Sequence, residues 1–105
     1  MNQGQLIERI ATRCKISREF ATDTIHVVLD EIALALCRDE EVVLVRFGRF
    51  RNRRFTERTT RNPQTGQPVH LPARLNPEFR SAPDLKRRVN EAQGITGIDH
   101  KWSRG

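Results

Sequence analysis

A chain of 105 residues has room for one domain, and with a basic arm and a polar tail subtracted it cannot bury a generous core by itself. A net charge of +6 and a pI near 10.6 point to nucleic acid or an acidic membrane surface as partner. No apolar run approaches a membrane span, no secretory signal is expected at the polar start, and two distant cysteines exclude a disulfide framework or a cysteine-based metal centre.

The charge is unevenly placed. Residues 1–45 hold five basic and eight acidic side chains, and residues 46–88 hold twelve basic and three acidic. An acidic-to-neutral body with a basic arm is the electrostatic pattern of a nucleic-acid binder.

Asn2 and Gln5 have the spacing of a helix capping box, and Leu6, Ile7, Ile10 and Ala11 follow at helical intervals. This helix should stop near Cys14-Lys15. Ser17 is placed to cap a second helix, with Glu19 in its first turn, running from about Arg18 to Arg38. Its apolar residues, among them Phe20, Ile25, Val28, Leu29 and Ile32, cover more than one face. Such a helix needs two surfaces to bury against, the first helix and a copy of itself across a dimer axis. Cys14 and Cys37, near the two helix ends, read as small buried thiols of a reducing compartment.

Asp39-Glu40-Glu41 breaks the helix, and Val42 to Val45 reads as a β-branched strand. Phe47-Gly48 turns the chain into the next strand, with Phe47, Phe50 and Phe79 as core fillers. Seven of the sixteen residues from Arg46 to Arg61 are arginine, opposed only by Glu57. Little between Arg51 and Gln67 suits a core. The segment Arg61-Asn62-Pro63-Gln64-Thr65-Gly66 carries turn residues in turn order. Together these describe a basic β-ribbon whose partner lies outside the subunit. Leu75 to Arg80 reads as the returning strand. Ser81 is placed to cap a short last helix with Pro83 and Asp84 in its first turn, Leu85 and Val89 as its apolar stripe, and Lys86, Arg87 and Arg88 solvated. Trp102 lies in a tail rich in glycine, where a docking anchor and a packed or unstructured end are both open readings.

The element order, with Met1-Asn2, Leu6-Ile7, Phe47-Gly48, Phe50, Arg58, the RNPQTG tip, Pro72-Ala73, Phe79, Leu85-Lys86 and Val89-Asn90, resembles the HU and integration host factor family of bacterial DNA-bending proteins. The resemblance implies an α+β fold: two N-terminal helices, a three-stranded antiparallel sheet extended into a β-ribbon arm, and a short C-terminal helix, assembled as an intertwined dimer. It spans residues 1–90, with the arm at about 51–73, and leaves 91–105 as an extension. It implies double-stranded DNA as partner and Pro63 as a wedge between base pairs in the minor groove, the habit of this group of DNA benders. A homodimer and a heterodimer with a related subunit are both compatible with it. It further implies the bacterial cytoplasm, on the nucleoid, with a phage origin also open.

The residues assigned to DNA contact are Arg46, Arg53, Arg54, Arg58, Arg61, Asn62, Gln64, Arg74, Arg80 and Lys86. For Arg46 an ion pair with Glu41 is the competing reading. Phe55 either stacks in the groove or covers the root of the arm. The chain departs from the family pattern at Gln3, Arg46, Asn52, Phe55, Thr60 and Ser81 to Asp84, which touches fine specificity rather than class. His26, His70 and His100 fit no metal-ligand spacing, and no nucleophile–base pairing or phosphate-cradling loop stands out, so no metal, cofactor, small-molecule substrate or catalysis is expected. Two other readings stay open: a binder of RNA or single strands that does not bend its ligand, and an interaction module acting through the tail.

Overall fold

In the computed structural model, residues 1–95 are described; His100 and Trp102 lie outside them. Helix α1 (Gln3–Cys14) opens with the full capping box: Gln5 N–H donates to Asn2 Oδ1 at 2.9 Å, and Asn2 N–H to Gln5 Oε1 at 3.0 Å. Lys15 ends it in a left-handed conformation at φ 56°. Helix α2 (Arg18–Cys37) is capped by Ser17, whose Oγ accepts from Phe20 N–H at 3.0 Å. An Arg18–Glu8 ion pair ties the two helices together.

Strands β1 (Val42–Leu44), β2 (Gly48–Phe55) and β5 (Arg74–Ser81) form an antiparallel sheet in the order β1-β2-β5. Val45 falls outside the first strand, in the turn. Strands β3 (Arg58–Arg61) and β4 (Pro68–Leu71) form a second, two-stranded ladder, the arm. Phe55 pairs with Arg74 and Arg58 with Leu71, so sheet and arm share one register. Between them Thr56-Glu57 stands opposite Pro72-Ala73 without ladder pairing. Pro72 has no N–H to donate, which accounts for the break. Pro77 is tolerated because β5 is an edge strand.

Helix α3 (Pro83–Ala92) starts differently from the sequence expectation. Ser81 is not its cap: it is the last residue of β5, paired with Gly48, and Ala82 takes the N-cap position without a side-chain bond. Ladder pairing outcompeted capping for that residue. Lys86 is half-buried rather than solvated. The cysteines also differ from expectation. Both thiols are exposed, each at the last residue of a helix.

Side chains alternate between the two faces of a strand. The helix-facing side of the β2–β5 pair carries Gly48, Phe50, Asn52 and Arg54. Phe50 and Phe79 stand opposite each other with ring centroids 5.0 Å apart, and Phe47 joins them at 5.5 Å from Phe79. Gly48 permits this packing: a Cβ there would stand 2.5 Å from both the Phe79 ring and the Arg80 carbonyl. Asn52 donates to the Leu36 carbonyl at 2.8 Å and to Asp39 Oδ1 at 3.1 Å. It satisfies a carbonyl at the end of α2 and docks the sheet on that helix.

The core of the single chain is not closed. Only Ile7, Ala21 and Ala35 are buried among the described hydrophobic residues, while Phe20, Val27, Val28 and Leu29 stand open on α2. The radius of gyration is 19.4 Å, against about 13 Å for a compact domain of this length. Among the described residues no helix is long and apolar enough to cross a membrane.

Candidate nucleic-acid interface

The face of the sheet turned away from α2 collects the charge. Strand alternation places Arg49, Arg51, Arg53 and Phe55 there from β2, and register places Arg80, Glu78, Asn76 and Arg74 opposite them. The two strands thus contribute five arginines and one carboxylate, Glu78, to this face. Glu78 accepts from Arg51 Nε at 3.0 Å and from Arg80 Nε at 3.3 Å. The hydrogen bond from Arg51 is the main reason that the Glu78 carboxyl is held below the usual carboxylate range; burial opposes it, and the Arg80 bond adds to it. Arg49 pairs with Glu41 at 3.2 Å.

At one end of this face lies the β1–β2 turn. Arg46 sits there in a left-handed conformation at φ 66°, a region that favours glycine. Its nearest acid is Asp84 at 3.9 Å, not Glu41, whose carboxylate is taken by Arg49. Asp84 is shared with Arg87 at 2.8 Å. Ala82 N–H donates to the Phe47 carbonyl at 2.9 Å and fixes the start of α3 against this turn.

The other end of the face is the root of the arm. Phe55 covers it. The Arg53 guanidinium lies 5.1 Å from the Phe55 ring centre and the Arg74 guanidinium 4.7 Å. Arg54 points to the opposite face, where its Nη2 lies 2.6 Å from Asp39 Oδ2. Along the arm, Arg58 is exposed and Arg61 Nη1 donates to the Gly66 carbonyl at 3.1 Å. His70 Nε2 lies 3.4 Å from Glu57.

The tip is tied internally. Asn62 N–H donates to the Gln67 carbonyl at 2.9 Å, and Gly66 N–H to the Asn62 carbonyl at 2.7 Å. Asn62 Oδ1 accepts from Gln64 N–H at 2.9 Å, so this side chain shapes the loop. Gly66 supplies the positive φ, 71°, and Pro63 stands exposed at the apex. The structure therefore brings Arg53, Arg74 and Arg80 onto one face, sets Arg58, Arg61, Asn62, Pro63 and Gln64 along the arm, and leaves Arg46 in the turn at one end of the face, Arg54 on the opposite face and Lys86 on α3. Sequence reading passed over Arg49, Arg51 and Glu78. Period-two alternation from Gly48 to Phe55 was the signal that could have grouped the two arginines with Arg53.

Comparison with known proteins adds a decisive match. Residues 1–90 match the family described as "Bacterial DNA-binding protein". The chain belongs to that family. Among its curated members, the DNA-binding protein HU of Xylella fastidiosa is 38% identical over 94 residues, covering 90% of this chain and all of the relative. HU-beta of Serratia marcescens is 40% identical over 90 residues, covering 86% of this chain and 100% of the relative. In three dimensions, the Anabaena HU–DNA cocrystal structure superposes with a TM-score of 0.76 at 29% identity, covering 85% of this chain and 97% of that one. An HU variant from Thermotoga maritima, at TM-score 0.64 and 24% identity, covers 85% of this chain and 99% of its own and supports the fold. The HU-type α+β architecture expected from the sequence is the one observed.

Proposed function

We propose that this protein is an architectural DNA-binding protein that, as a dimer, grips duplex DNA with its arms and bends it through the minor groove. The observation that carries the reading is the arginine face of the β2–β5 sheet leading, in one register, into an arm whose apex is an exposed proline on a hydrogen-bonded loop. Arginine keeps its charge in a narrow, negative groove, and proline offers a rigid apolar wedge without an N–H to desolvate. On this reading Pro63 intercalates. Arg58 and Arg61 line the groove, Asn62 and Gln64 set and flank the tip, Arg53 and Arg74 hold phosphates along the body, and Arg80, shared with Glu78, adds a weaker contact there. Arg46 and Lys86 add contacts at the far end, and Arg54 adds charge from the opposite face while held by Asp39.

The open apolar girth of α2 supports a dimer, either of two copies or with a related subunit. The named relatives are bacterial HU proteins, which supports action in the cytoplasm on the nucleoid and residues 1–90 as the DNA-binding unit. A binder of single strands would use open aromatic faces as stacking platforms. The Phe55 ring is instead flanked by two guanidinium groups, which weighs against that use.

The test is binding to a random-sequence duplex across a salt series. If a dimer neutralises about 6–10 phosphates, log K falls with log salt at a slope of about −5 to −9. Affinity independent of salt would show that the basic surface is not the binding surface.

A further inference from the structure

We infer that Phe55 is a positioning residue for duplex binding: its ring holds the guanidinium groups of Arg53 and Arg74 at the root of the arm, ready for two phosphate contacts. The inference rests on the duplex-binding reading above and deepens it.

Backbone geometry alone puts the three residues together. Arg53 and Phe55 are two apart on β2 and so share a face, and Arg74 is the register partner of Phe55. Both guanidinium groups lie within cation–π range of the ring, at 5.1 and 4.7 Å. Phe55 is not part of the aromatic core. Phe47, Phe50 and Phe79 cluster together, and Phe50 lies on the helix-facing side of β2 while Phe55 lies on the other.

The manner of holding matters. Arg49, Arg51, Arg54 and Arg80 are held by carboxylates, which occupy N–H donors and cancel charge. An aromatic face does neither. It restrains a planar guanidinium while leaving its edge N–H groups and its charge available to phosphate. Arginine has much rotamer freedom to lose on binding, and ordering it beforehand reduces that cost. The site lies beside the unpaired step at Thr56-Glu57 and Pro72-Ala73, so it marks the point where the arm leaves the body.

The test is a double-mutant cycle on the full chain, read as duplex affinity by anisotropy and as the slope of log K against log salt. Phe55→Leu keeps apolar bulk and removes the aromatic face. It is expected to weaken duplex binding about three- to tenfold and to flatten the salt slope by about 1–2. Phe55→Tyr is expected to retain wild-type affinity and slope. In the background of Arg53→Gln with Arg74→Gln, Phe55→Leu is expected to have no further effect. Thermal melting of each variant accompanies the cycle, and the arginine pair alone leaves Phe55 in place should Phe55→Leu fold poorly. An equal loss from Phe55→Leu in both backgrounds, or no loss in either, overturns the inference. Duplex binding by the wild type without coupling in the cycle overturns this inference alone, whereas a wild type without duplex affinity overturns the duplex reading as well.

Discussion

Arg54 reaches back from the root of the arm to Asp39 at the end of α2, its Nη2 2.6 Å from the carboxylate. Its neighbour Arg53 points to the opposite face and meets an aromatic ring instead. One step along the strand separates an arginine held by a carboxylate from one held by an aromatic ring. The two should behave differently when removed. Arg53→Ala is expected to weaken duplex binding and to reduce the salt slope by about 1 for each arm. Arg54→Ala is expected to change binding less and to lower stability by up to about 1 kcal/mol, the range of an exposed ion pair. Anisotropy and thermal melting on the two variants check this, and equal losses of affinity would remove the distinction between the faces.

Glu78 gives the sheet an acid-side dependence. Its carboxyl is held below the usual range, chiefly by Arg51, so the unfolded chain takes up its proton at a higher pH than the folded one. The stabilisation is present above the ordinary glutamate pKa of about 4.3 and is lost as pH falls through the lowered folded value. Glu78→Gln should therefore flatten the melting temperature against pH in the acid range. It also removes the carboxylate from the arginine face and releases Arg51 and Arg80, so duplex affinity at low salt should rise about threefold. Lower affinity in this variant would mean that Glu78 is needed to order those arginines for DNA.

Two positions at the start of β2 and in the turn before it should respond in opposite directions. Gly48→Ala places a Cβ 2.5 Å from backbone and ring atoms, and a loss of about 3 kcal/mol or failure to fold is expected. Arg46→Gly relieves a left-handed non-glycine residue and should add about 1 kcal/mol to stability. The same change removes a cation near the proposed DNA path, so its salt slope should become shallower. Melting curves and a salt series on both variants separate the two effects.

Assembly has its own test. Val28 and Leu29 are 48% and 53% exposed in the single chain, large values for apolar residues in the middle of a helix. Replacing both with aspartate would place unpaired charge in the proposed dimer core. Sedimentation and circular dichroism should show loss of the dimer together with loss of helix. A double variant that is monomeric and fully folded would contradict a dimer built on α2.

The parts of the fold legible in the sequence are those set by neighbours in the chain. Asn2 with Gln5, Ser17 with Phe20 and the Asn62 to Gly66 loop each close within a few residues, so their bonds could be read from residue types. What could not be read depends on distant partners. Asn52 departs from the family pattern, and the acceptor that gives it a role, the Leu36 carbonyl, lies sixteen residues back. Ser81 looked like a cap because its competing strand partner, Gly48, is far away in sequence. The charge of the arm was legible, but the division of its root into an anchored Arg54 and a stacked Arg53 required the register of β2 on β5 and its contact with α2.

Bending is the central claim, and Pro63 is its most exposed point. Unstacking a base step costs a few kcal/mol, which wrapping DNA along the arginine face offsets. Pro63→Ala keeps the charge of the arm and removes the rigid wedge. The most direct measurement is end-to-end fluorescence transfer on a short labelled duplex, taken at saturating protein and matched salt for the wild type and Pro63→Ala. Wild-type protein should bring the ends together by a bend in the range of about 20–90° per kink, and Pro63→Ala should lose most of that bend while retaining most of its affinity. If Pro63→Ala bends the duplex as strongly as the wild type, Pro63 is a turn residue only and the wedge account is wrong.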